Sequence, residues 1–116
     1  MGRLLVSAAA LSLALAAGWA VAEPSSYDET GIAGIHSWVK VGRKTCMADH
    51  FHDGSGTGPT RFQAQRAAIR SWAEFTAWEY GSVWGRYSLA ASKKATCSRE
   101  EESWRCAVEA RPCRPF

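Results

Sequence analysis

The chain has little charge of one sign: 14 Lys and Arg stand against 11 Asp and Glu, a net charge of +3. No basic stripe is dense enough to track a phosphate backbone, which argues against nucleic acid as a partner. No apolar run reaches the roughly 20 residues that a transmembrane helix needs. There is no C-x-x-C redox pair and no G-x-S-x-G nucleophile elbow. The glycines of GSGTGPT lack the Gly-Lys-Ser/Thr of a phosphate-binding loop. A calcium loop counted from Asp49 would need an oxygen ligand where Phe51 stands and a glutamate where Thr60 stands. Ser55, His50 and Asp53 can be written as a nucleophile set, but neighbours in one glycine-rich loop lack the rigid frame that catalysis needs. The sequence therefore predicts a protein that is not an enzyme.

What is present starts with an address. Residues 1–22, MGRLLVSAAALSLALAAGWAVA, run from a basic start at Arg3 through an apolar stretch to Ala20-Val21-Ala22. That layout is a secretory signal peptide cleaved after Ala22, with an uncleaved anchor as the alternative. The mature chain from Glu23 is then one small domain without stable membrane insertion, in the periplasm or secreted. Its four cysteines, Cys46, Cys97, Cys106 and Cys113, read as two disulfides in an exported domain of this size. Five tryptophans remain beyond the signal: Trp38, Trp72, Trp78, Trp84 and Trp104. Three or four of them are expected in the core, because each ring buries a large area.

Residues 23–34 are polar and small, and read as a flexible N-terminal arm. Residues 35–116 form a single α+β domain. Ile35–Val41 reads as a short strand, Thr45–Asp53 is ambiguous, and Gly54–Pro59 reads as loop. The clearest signal follows. Thr60 and Gln63 fit a capping box, apolar residues recur at helical spacing through Ala68, Ile69, Trp72, Ala73, Phe75, Thr76 and Tyr80, and Gly81 stands where a helix stops. A helix over Arg61–Tyr80 is predicted, with Trp78 near the edge of its apolar face. A shorter second helix is expected over Ser82–Ala91, weakened by Gly85.

Lys93–Ser98 and Ser103–Ala110 alternate as a β-hairpin whose turn region is Arg99–Glu102. The run Glu100-Glu101-Glu102 is then a solvated tip. In that register Cys97 faces Cys106, leaving Cys46 for Cys113, with the other two pairings still open. One main amphipathic helix packs on a small antiparallel sheet in this reading. Its face of Ile69, Trp72, Phe75 and Thr76 meets Trp104, Cys106 and Val108.

The candidate site is Cys46–Gly58, CMADHFHDGSGTG. His50 and His52 are two apart, so an extended backbone points both imidazoles to one side. Imidazole binds zinc or copper, and Asp53 or Asp49 could add an oxygen ligand. Cys46 could join only if reduced, which export argues against. The alternative is a polar loop whose histidines hydrogen-bond locally, with no cofactor.

The stretch AIRSWAEFTAWEYGSVWGRYSLAASK (Ala68–Lys93), followed by Cys97, Trp104-x-Cys106 and Ala110-Arg111-Pro112-Cys113, resembles a type of small exported bacterial protein. The segment His50-x-His52-x-Gly54 is similar to such chains as well. The resemblance implies export and a compact α+β unit, and it assigns no activity and no catalytic residue. The expectation is a non-enzymatic binding or accessory protein with an exported protein partner. The alternatives are a zinc- or copper-binding protein using His50, His52 and Asp53, or a secreted inhibitor or toxin.

Overall fold

A computed structural model describes residues 31–116. The expected signal peptide and the first part of the expected arm lie outside the described residues. The last residues of that arm enter a 3-10 turn, Gly31–Ile35, with Ala33 buried.

Seven elements follow: β1 (Trp38–Val41), β2 (Lys44–Met47), β3 (His52–Gly58), α1 (Arg61–Tyr80), β4 (Ala91–Glu100), β5 (Ser103–Arg111) and β6 (Cys113–Arg114). They make two antiparallel three-stranded sheets, ordered β1-β2-β6 and β3-β5-β4. The predicted α+β architecture is present: one main helix, small antiparallel sheets and a C-terminal hairpin. Both disulfides close as the hairpin register implied. Cys97 lies directly opposite Cys106 across β4 and β5, and Cys46 opposite Cys113 across β2 and β6.

The helix has the predicted limits because its ends are capped by sequence. Thr60 Oγ1 accepts from the Gln63 N–H at 3.1 Å and donates to Gln63 Oε1 at 3.3 Å. At the other end Gly81 takes φ 101°, a conformation L side chains rarely adopt, while its N–H still reaches Ala77 O at 2.9 Å.

The segment read as loop, Gly54–Pro59, is mostly strand instead. Glycine has low strand propensity, but here Gly54, Gly56 and Gly58 alternate along β3 and share the face that meets α1. The buried helix positions are Ala64, Ala68, Trp72, Thr76 and Tyr80, each one turn beyond the last. Four helical residues advance about 6 Å and two strand residues about 6.7 Å, so the steps nearly match. Running antiparallel, Gly58 lies against Ala64, Gly56 against Ala68 and Gly54 against Trp72. A Cβ on Gly56 would sit 2.5 Å from both Ala68 N and Ala67 Cβ, and one on Gly54 would strike Ala68 O and Trp72 N. The glycines are therefore what lets the helix backbone lie directly on the strand. The same face continues to His52.

Beside β3 in the same sheet, the central strand β5 contributes Cys106, Val108 and Ala110, which join Ala64, Ala68 and Trp72 in the larger core. Trp72 Nε1 donates to Ala110 O at 3.3 Å. A smaller core of Ala33, Met47, Tyr80 and Trp84 sits under the other sheet. The expected second helix is replaced by two 3-10 turns, Ser82–Trp84 and Tyr87–Leu89, divided at Gly85. That glycine touches α1 so closely that a Cβ would be 2.8 Å from Ala73 O.

The aromatic inventory is less buried than expected. Only Trp72 and Trp84 are wholly buried among the five tryptophans, and Trp104 is partly so. Trp38 lies under the Arg114 guanidinium, 4.5 Å from the ring centroid. Phe75, expected in the core, is 45% exposed and Trp78 is 81% exposed. The faces differ because the glycine strand selects a narrow stripe of the helix, and Phe75 falls one position outside it.

Candidate metal centre

The site forms where the two cores meet. β3 delivers His52 on the face of its glycines, one step beyond Gly54, and so aims it at the next buried helix position, Thr76. His52 is 3% exposed. Its Nδ1 lies 2.9 Å from Thr76 Oγ1, and Thr76 Oγ1 lies 2.7 Å from Trp72 O. The hydroxyl has one proton, and Trp72 O can only accept it. Thr76 must therefore accept from His52, which places a proton on Nδ1.

In the neutral ring that assignment leaves the other nitrogen an acceptor. His52 Nε2 stands 2.7 Å from Glu79 Oε2, on the last turn of α1. Both atoms are buried, and a neutral ring protonated on Nδ1 has no proton to place between them. Burial pushes the His52 pKa below its ordinary value, against an opposing pull from the Glu79 charge, with a further push down from His50 and a smaller pull up from Glu79 as a hydrogen-bond partner. Burial dominates because the ring is enclosed between Tyr80, stacked at 4.7 Å, and Phe75 at 4.8 Å. A neutral ring protonated on Nδ1 presents its Nε2 lone pair to a carboxylate. A proton or a metal ion between two such atoms satisfies both.

His50 completes the arrangement. It precedes β3, and its ring lies 5.2 Å from His52 between centroids. One ligand atom from each of His50, His52 and Glu79 lies within 4.8 Å of the other two. Two imidazoles and a carboxylate are a donor set for zinc or copper(II). Metal bonds near 2.0–2.2 Å place tetrahedral donors about 3.4 Å apart, so closure needs side-chain movements of the order of 1 Å. An open cleft lined by Ile35, His36, Ser37, Asp49 and His50 gives access from solvent.

The structure brings together His50 and His52 as the sequence implied, but not with Asp53. That residue points to the opposite, exposed face of β3, beside Lys94, Thr96 and Glu109. A residue next to His52 on a strand necessarily faces away from it. Asp49 borders the cleft but is not among the converging donors. Cys46 is committed to its disulfide. Sequence reasoning missed Glu79, whose only signal is its place three residues after Thr76 at the end of the helix. It also passed over His36, the third histidine, whose ring lies 4.6 Å from that of His50. All the histidines of the chain thus gather at one place.

Tyr80 forms the floor. Its ring stacks on His52 and meets His36 and His50 edge-on. Burial, with a smaller contribution from Glu79, raises its pKa to about 12, so the hydroxyl stays protonated and neutral. Comparison with protein-family models, curated proteins and solved structures finds no match to this chain.

Proposed function

We propose that this is a small exported protein, non-enzymatic and disulfide-stabilised, that binds a transition metal ion, zinc or copper, through His50, His52 and Glu79. The observation that carries the reading is the convergence of His50, His52 and Glu79, with the buried His52 Nε2 2.7 Å from Glu79 Oε2, two acceptors when the ring is neutral. Two disulfides fit an oxidising periplasmic or extracellular setting. No helix among the described residues is long and apolar enough to cross a membrane. The test is native mass spectrometry of the oxidised mature chain with zinc and with copper. One ion per chain, lost in the His50→Ala/His52→Ala variant, supports the reading. Equal uptake by both forms, or none by the wild type, overturns it.

A second reading rests on a separate observation. Trp78 and Phe75 form an exposed aromatic pair on α1, 6.1 Å between ring centroids. Such a pair suits an exported protein partner. Crosslinking in the cell envelope tests it: a partner held by wild type and lost in Trp78→Ser favours this reading, and identical crosslinks in both forms count against it.

A further inference from the structure

We propose that His36 is a fourth ligand, closing the His50, His52 and Glu79 site around the ion; this rests on the metal-binding reading above.

His36 is held beside the cluster by backbone as well as by its ring. The 3-10 turn Gly31–Ile35 ends immediately before it, and its N–H bonds Ala33 O at 3.1 Å. Trp38 Nε1 reaches the same carbonyl at 2.9 Å. On its other side Ser37 O accepts from the Ala48 N–H at 2.8 Å, which ties the His36 segment to the one that carries His50. The two histidines therefore arrive together, with rings tilted 41° and centroids 4.6 Å apart.

The ring is not yet aimed at the ion. His36 Nε2 lies 3.3 Å from the Tyr80 hydroxyl, long for an O–H···N bond, and its donors stand outside the set that converges from His50, His52 and Glu79. Such a weak bond is easily exchanged for a metal bond. His36 is only partly buried and borders the open cleft, so its ring has room to turn. His52 has no such freedom, locked between Tyr80, Phe75 and Thr76.

The consequence is chemical. Three protein ligands leave zinc an open position for water, as in catalytic sites, whereas four close it. Three imidazoles and one carboxylate give a closed site that holds its ion without activating a water molecule. The ligands then come from the N-terminal turn, the β3 approach, β3 itself and the end of α1, so the ion fastens the N-terminal segment to the helix.

The experiment uses the oxidised mature chain with zinc, and compares wild type, His36→Phe and His50→Ala/His52→Ala. Phenylalanine keeps an aromatic ring against His50 but removes the donor nitrogens, and circular dichroism checks that each variant folds. X-ray absorption at the zinc edge counts imidazoles, and competition with a chelating dye gives affinity. The proposal expects three imidazoles in wild type and two in His36→Phe. It also expects affinity to fall by more than about 100-fold, beyond the cost of losing an outer-shell partner. Two imidazoles in both, with unchanged affinity, would remove His36 while leaving the His50, His52 and Glu79 site intact. Absence of zinc from the wild type would remove both.

Discussion

His52 Nε2 and Glu79 Oε2 lie 2.7 Å apart, and in the neutral ring no proton stands between them. The cause is upstream of both. Thr76 gives its only proton to Trp72 O, so it takes the proton of His52 on the far side of the ring. Burying an acceptor without a donor costs free energy, of the order of 1–3 kcal/mol. A metal ion would satisfy both atoms at once. The same register that lays the glycine strand on α1 puts His52 there.

That register makes its own prediction. Gly56→Ala should destabilise the protein by about 3 kcal/mol, because the new methyl group meets helix backbone that cannot move without lifting α1. Thr57→Ala, on the opposite exposed face, should change stability by less than about 0.5 kcal/mol. Urea unfolding of both variants checks the difference. Similar losses would show that the strand does not depend on close approach.

The two disulfides should contribute unequally. Cys46–Cys113 closes a separation of 67 residues and Cys97–Cys106 one of 9. Loop entropy assigns them about 4.4 and about 2.6 kcal/mol. Paired Cys→Ser variants, compared by chemical denaturation, should rank in that order. The reverse order would mean that the hairpin bond acts through the native sheet and not through the unfolded chain.

Alkaline pH should destabilise the fold through its buried phenols. Tyr80 is raised from 10 to about 12, and burial raises Tyr87 as well, where its ring packs edge-on against Trp72. The folded state thus keeps protons that the unfolded state releases. Their stabilisation is full below pH 10 and is lost as the pH climbs towards 12. Tyrosinate absorbance should rise at higher pH in the folded chain than in urea. Coincident titrations would contradict the burial.

Trp78 should be energetically silent in the isolated domain. At 81% exposure its replacement by Ser should shift stability by less than about 0.5 kcal/mol. Most of the iodide-quenchable tryptophan fluorescence should disappear with it. A large loss of stability would place the ring in an internal contact.

Much of the fold was legible because its signals are local. The Thr60 cap, the Gly81 stop and the alternation around Cys106 each lie within a few residues of what they control. The glycine strand was illegible for the opposite reason. Gly54, Gly56 and Gly58 carry no strand propensity, and their alternation gains meaning only against Ala64, Ala68 and Trp72. The site divides in the same way. His50 and His52 announce themselves by spacing, whereas Glu79 and His36 reach them only through the helix register and the β1–β2 sheet. Asp53 was attractive by proximity in sequence and is excluded by strand alternation.

The most direct test of the account is Glu79→Gln, measured twice: unfolding of the metal-free protein, and zinc affinity. The amide can donate to His52 Nε2 where the carboxylate cannot. The account therefore predicts opposite signs, with the metal-free fold more stable by roughly 1 kcal/mol and zinc binding weaker by about 100-fold or more. A less stable metal-free fold with unchanged zinc binding would contradict it, because Glu79 would then be a charged partner of His52 and not a metal ligand.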